Sequence, residues 1–215
     1  MKLIRWKIAI LAIVCSALPS LAGDVGLDAD VGARVRNCTW CHGTSAQGYG
    51  PGPRLAGQRV RYLENQLARF FAHARDNPLS QQYMWPATQA LNPLAAHDLA
   101  IYFSLLAPQA ANDGMKELVG VGASIYMDGA PENDIVSCAA CHGPNGEGIG
   151  EIPRLGGLSF AYLKRRLTEW NEGFDLAAGP PMPHIASRLG PYEIDALASY
   201  LSFVQSTPND NDIAP

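Results

Sequence analysis

The sequence predicts an all-α protein made of two small tandem domains. Three observations predict it: a Cys-x-x-Cys-His stretch that occurs twice, an internal repeat that runs outward from both copies, and apolar residues that recur at helical spacing in each half. A chain of 215 residues could form one domain or two, and the repeat decides for two.

Taken in order, the chain opens like an export signal. Lys2, Arg5 and Lys7 form a basic start, residues 8–18 are an apolar run of 11, and Ser20-Leu21-Ala22 offers small residues where a signal peptidase reads. Cleavage after Ala22 is expected; a retained anchor is the competing reading. A membrane-crossing helix needs about 20 apolar residues, and this run is cut off by Pro19. Cys15 does not fit lipoprotein processing, because Val14 precedes it where a small residue is wanted. Cleavage removes three positive charges and no negative ones, taking the formal net charge from −4 to −7. An acidic chain of this kind steers toward basic partner patches and argues against nucleic acid binding.

The domains are expected at residues 1–22 (signal peptide), 23–107, a linker at 108–114, and 115–215. From the first motif onward the halves align at an offset of 100: His42-Gly43 with His142-Gly143, Pro53-Arg54-Leu55 with Pro153-Arg154-Leu155, Gly57 with Gly157, and Tyr62-Leu63 with Tyr162-Leu163. After a two-residue deletion the offset is 98, pairing Met84, Leu91, Pro93 and Tyr102 with Met182, Leu189, Pro191 and Tyr200. Pro108, Asn112, Asp113 and Gly114 are turn and breaker residues, which places the boundary there. Residues 59–71 carry one apolar stripe at helical spacing, and 160–170 repeat it less cleanly. Residues 93–106 and 191–204 each begin with Pro in the first turn, where its missing N–H costs nothing, and predict a closing helix for each domain.

The motifs are Cys38-Thr39-Trp40-Cys41-His42 and Cys138-Ala139-Ala140-Cys141-His142. Two thiols that can add across haem vinyl groups, followed at once by an imidazole that can ligate iron, are the c-type haem attachment signature. Two covalent haems are therefore expected, on Cys38 and Cys41 and on Cys138 and Cys141. A thioredoxin-like pair or half of a zinc site is the blander reading of such a pair. Neither needs the adjacent His or the second copy. A haem at the centre would also give a domain of about 90 residues the apolar body it is otherwise short of.

His42 and His142 would fill one axial position of each iron. Met84 and Met182 are the candidates for the other, at matched repeat positions 42 and 40 residues later, each in a Pro-flanked stretch read as a loop. Met as core filler is the alternative. His73, His97 and His184 compete for the same role, but none has a counterpart in the other half; Met115 and Met127 have none either. The Pro53 and Pro153 carbonyls are plausible acceptors for the second N–H of each axial His. Arg54 and Arg154 could reach haem propionates, or stand as ordinary surface arginines. With both axial positions filled, no site for oxygen or peroxide is left, and no Ser-His-Asp array, paired-carboxylate signature or phosphate loop appears. Electron transfer without substrate chemistry is the expected function.

The order Cys-x-x-Cys-His, Pro-x-Leu-x-Gly, Met stretch and closing aromatic-bearing helix resembles class I c-type cytochromes. Doubled in one chain, with Pro53-Arg54-Leu55-Ala56-Gly57-Gln58 and Tyr62-Leu63-Glu64-Asn65-Gln66-Leu67, it resembles the dihaem cytochrome c4 family over nearly the whole mature sequence. The resemblance implies two small cytochrome c domains, each wrapped around one haem and related by a pseudo-twofold axis. It implies a periplasmic carrier that takes electrons from a cytochrome bc complex or a dehydrogenase and passes them toward a haem-copper oxidase, with peripheral association with membrane complexes. A cytochrome subunit of a periplasmic dehydrogenase is the second reading, and a dihaem enzyme such as a peroxidase the third. Arg165-Arg166 in place of Asn65-Gln66, and residues 128–137 without a counterpart before the first motif, bear on partner choice.

Overall fold

The structure, a computed structural model, describes residues 29–178 and 181–205; the expected signal segment lies outside them. The described residues are helical with no strand, apart from the isolated bridges Tyr49↔Gly52, Ala130↔Ile135 and Ile149↔Ile152. The first half contains α1 (Ala29–His42), α2 (Val60–Phe71), α3 (Trp85–Thr88) and α4 (Pro93–Leu105). The second contains α5 (Val119–Asp128), α6 (Ala139–His142), α7 (Phe160–Asn171), α8 (Met182–Ala186) and α9 (Pro191–Phe203).

Local chemistry sets the helix starts. The side chain of Asn92 accepts a hydrogen bond from Ala95 N at 2.8 Å and Pro93 follows in the first turn, so α4 opens with a capped end and no orphaned proline. Ser159 caps α7 in the same way through Tyr162 N, at 3.4 Å. The apolar stripe of α2 buries Leu63 and Phe70, and that of α7 buries Leu163. In the first half Leu63 joins Val35, Leu99 and Phe103 in one core; in the second, Leu163 joins Ile125, Tyr126, Leu197 and Leu201 in another. Each half thus has its own apolar centre. In the second, α5 crosses α9 at Gly122, where any side chain would overlap the Ala196 carbonyl.

The Pro-flanked methionines are the point where the structure departs from the expected loops. Met84 ends a π-helical turn, Ser80–Met84, that runs straight into α3, and Met182 opens α8. The prolines explain it, since Pro86 and Pro183 fall in the first turn of these short helices, where a missing N–H is tolerated.

The connection between the halves is tied to both. Gln47 donates to Ala107 O at 2.9 Å and accepts from Gln109 N at 3.0 Å. Gln205 likewise donates to Pro108 O at 2.9 Å and accepts from Ala110 N at 3.0 Å. Gly57, in the left-handed region at φ +66°, lets Pro108 pack where a Cβ would come within 2.7 Å of its ring.

The domains also meet directly. Gln58 donates to Arg154 O at 3.0 Å and accepts from Arg154 N at 2.7 Å, while Arg59 donates to the carbonyls of Glu147 and Gly148, both at 2.7 Å. Backbone groups that would otherwise be buried unpaired are satisfied from the opposite domain, which makes the relative placement of the two specific.

Candidate haem-binding sites

Each site begins with a helix turn. In α1, Cys38, Cys41 and His42 stand at i, i+3 and i+4, so the two thiols and the imidazole share one helix face. Cys138 followed by α6 gives the second half the same arrangement. The backbone then folds back in matching fashion. Gly48 N donates to His42 O at 2.8 Å, and Leu55 N and Ala56 N donate to Ala46 O at 2.9 and 3.1 Å. In the second half Gly148 N donates to His142 O at 2.8 Å, and Leu155 N and Gly156 N donate to Gly146 O at 2.7 and 3.0 Å.

That fold-back brings a proline carbonyl to each imidazole. His42 Nδ1 lies 2.8 Å from Pro53 O, and His142 Nδ1 lies 3.0 Å from Pro153 O. A carbonyl only accepts, so Nδ1 carries the proton and donates, and the lone pair of the neutral ring is on Nε2. Both rings are buried, at 7% and 5% exposure, and burial holds both below the usual imidazole pKa against the opposite pull of the carbonyl. The two rings are therefore neutral, oriented, and have one nitrogen free to ligate.

None of the four motif cysteines is in a disulfide; Cys38 and Cys138 are half-buried and Cys41 and Cys141 exposed. Burial pushes Cys38 and Cys138 up to about 11. A reactive dithiol needs a shift the other way. Met84 and Met182 are half-buried at the equivalent points before each closing helix. Of the competing histidines, His73 stacks on Trp85 with ring centroids 3.9 Å apart, His97 pairs with Glu64, and His184 is exposed.

Arg54 and Arg154 lie where the halves meet rather than on open surface. Arg54 donates to Gln47 Oε1 at 3.1 Å and Gln109 O at 3.0 Å; Arg154 is 1% exposed and donates to Gly156 O and, at 2.8 Å, to Ala56 O across the boundary. Burial, with Arg54 and Arg59 nearby, pushes Arg154 down to about 10. The Nε of Arg54 and of Arg154 is buried in each case without a hydrogen-bond partner among the described residues. Unused buried Nε donors, on half-buried Arg54 and buried Arg154, fit an anionic ligand edge, as a haem carboxylate supplies. The thiol pairs, the oriented imidazoles and these donors all fit a covalently held haem.

Sequence reasoning missed Gln58, Arg59, Asp76 and Asp175, which hold the halves together. The two aspartates carried a faint signal, since they pair at an offset of 99, where the repeat register passes from 100 to 98.

The sequence model of the family described as Cytochrome c matches twice, over residues 31–104 and 122–205. The chain belongs to the cytochrome c family. Among relatives of this cytochrome, cytochrome c-552 of Acidithiobacillus ferridurans is 34% identical over 196 residues, covering 87% of this chain and 84% of the relative. The thiosulfate dehydrogenase electron acceptor of Stutzerimonas stutzeri is 34% identical over 215 residues, covering 95% and 97%. Among solved structures, cytochrome c4 of Acidithiobacillus ferrooxidans superposes with a TM-score of 0.72 at 33% identity, covering 78% of this chain and 99% of that one. This cytochrome is thus of the dihaem c4 type, carrying one covalent c-type haem per domain at its Cys-x-x-Cys-His motif, and its function is electron transfer. No helix among its described residues is long and apolar enough to cross a membrane.

Proposed function

We propose that this cytochrome is a periplasmic electron shuttle with two six-coordinate haems, held by His42 and Met84 in the first domain and by His142 and Met182 in the second. The observation that carries the reading is the doubled brace of a buried, neutral imidazole by a proline carbonyl, 2.8 Å in one half and 3.0 Å in the other. The pair Cys38 and Cys41, and the pair Cys138 and Cys141, would each supply two thioether bonds, one per cysteine. Pro53 and Pro153 keep Nε2 of their histidines available and the rings fixed. A methionine thioether joining each imidazole would favour the ferrous state and would occupy the position that oxygen or peroxide needs. Arg54 and Arg154 would offer their unused Nε donors to propionates. When bound, the haem supplies reversible one-electron exchange at its iron.

The donor we propose is a cytochrome bc complex or a dehydrogenase, and the acceptor a haem-copper oxidase. A dedicated acceptor for one dehydrogenase is the second reading, supported by the relative named for that role, which aligns over 95% of this chain. Affinity purification of the tagged holoprotein from native periplasm separates the two. Recovery of free cytochrome that reduces a membrane oxidase fraction supports the shuttle; stoichiometric recovery with a catalytic dehydrogenase subunit sinks it. Export itself is tested by N-terminal sequencing of the periplasmic protein, which is expected to begin at Gly23.

A further inference from the structure

The two domains present opposite surfaces beside their haem motifs. At an offset of 100, Trp40, Gln47, Tyr49 and Pro51 correspond to Ala140, Glu147, Ile149 and Glu151. Arg36, Trp40, Thr44 and Tyr49 line one concave stretch of the first domain, whose lining contains no carboxylate. Trp40 is 87% and Tyr49 77% exposed. Arg165, reaching over from the second domain, donates to Pro51 O at 3.0 Å, two residues from Tyr49 in sequence, though it also faces Glu169 at 3.5 Å. On the second domain the same positions hold exposed Ile149 and Glu151 and half-buried Glu147.

The contrast extends beyond these positions. Residues 29–107 contain seven arginines against four carboxylates, whereas residues 108–205 contain six basic groups against twelve acidic ones. Several first-domain arginines are committed to the domain boundary, which leaves Arg36 as an outward-facing cation next to the exposed aromatic pair.

We propose that the Arg36, Trp40 and Tyr49 surface is the docking site for a redox protein with an acidic rim around an apolar centre. Trp and Arg are the residue types that anchor interfaces when desolvated, and two exposed aromatics together offer a partner more than scattered apolar residues do. Complementary charge steers such a partner to the first domain, and Glu147 and Glu151 repel it from the second. The proposal rests on the electron-carrier reading and adds to it a port of entry or exit.

The test uses the holoprotein labelled for amide nuclear magnetic resonance and titrated with hexacyanochromate(III), a paramagnetic trianion. Selective broadening of amides around residues 36–49 and of the Trp40 indole N–H is expected, and Arg36→Glu should abolish it. Broadening centred on residues 136–151, spread evenly, or unchanged by Arg36→Glu overturns the assignment. With an acidic blue copper protein as electron partner, Trp40→Ala is expected to lower the second-order transfer rate about tenfold, while Ile149→Ala leaves it unchanged. Equal effects of the two substitutions would contradict the proposal. Because the broadening map reads binding alone, it stands or falls apart from the axial ligand set, which the spectrum of the same sample reports.

Discussion

Asp76 and Asp175 cap one another across the domain boundary. Asp175 Oδ1 accepts from Asp76 N at 2.7 Å, and Asp76 Oδ1 accepts from Asp175 N at 2.6 Å. Both follow the matched helices α2 and α7, so the contact is self-complementary, as an interface between two-fold-related surfaces requires. The pair is unequal all the same. Asp175 is 1% exposed, accepts twice more from Asn77 at 3.1 and 2.9 Å, bonds Arg166, and lies 3.7 Å from Arg75 Nε. Asp76 is exposed.

Asp175→Asn should therefore destabilise the holoprotein by about 1.5–3 kcal/mol, the usual worth of hydrogen bonds to a charged group. Asp76→Asn should cost less, about 1 kcal/mol or below, because its carboxylate is exposed to solvent screening. Urea unfolding followed by far-ultraviolet dichroism measures both. Equal effects would mean that the buried Arg166 and Asn77 contacts contribute nothing.

The same carboxylate sets an acid limit. Burial raises the Asp175 pKa, but Arg166, together with Asn77 and Arg75, more than offsets that and holds it below the usual carboxylate value. A group with a depressed folded-state pKa adds stability above its unfolded pKa, about 3.9 for Asp, and loses it as the pH falls toward the lower folded value. Stability should accordingly drop from about pH 4 downward, and the drop should be shallower in Asp175→Asn. Parallel curves for the two proteins would remove Asp175 from the account.

Gln58→Leu installs the residue that the second repeat carries at 158. It removes the bonds to Arg154 O and Arg154 N and leaves two buried backbone groups unpaired, each costing about 1–3 kcal/mol. Calorimetry of the variant should resolve two transitions where the parent protein shows more closely coupled unfolding. A single unchanged transition would show that Gln58 does not join the domains.

What could be read from the sequence follows from range. Helices α2, α4, α7 and α9 and the imidazole braces depend on spacing within a few dozen residues, and the repeat displayed each twice. The domain contacts depend on side chains 88 to 114 residues from their partners, such as Arg59 with Glu147 and Arg165 with Pro51. Nothing in local periodicity marks them. Arg54 and Arg154 show the same gap: matched positions suggested a common ligand, while their guanidinium contacts at the boundary, unlike one another, emerge only in three dimensions. The methionine segments read as loops if proline is a breaker, and are helical because Pro86 and Pro183 occupy first-turn positions.

Two neighbouring glycines of α5 give a matched pair. Gly122→Ala would drive a methyl into the Ala196 carbonyl, and is expected to cost at least the ~1–3 kcal/mol of an overpacked core. Gly120 has open space around its missing Cβ, so Gly120→Ala should gain about 0.4–1 kcal/mol. Thermal unfolding should move in opposite directions for the two, and a shared direction would contradict the close crossing of α5 and α9.

On the ligation proposed above, one braced imidazole and one methionine hold the iron of each domain and leave no open position. The most direct measurement is the oxidised and reduced spectrum of the holoprotein, with a redox titration and carbon monoxide added, beside Met84→Ala and Met182→Ala. A Met-to-iron band at the near-infrared edge, no carbon monoxide adduct in the parent protein, and in each variant one opened haem with a lowered potential are expected. A carbon monoxide adduct in the parent protein, or an unchanged potential in either variant, would contradict this ligation.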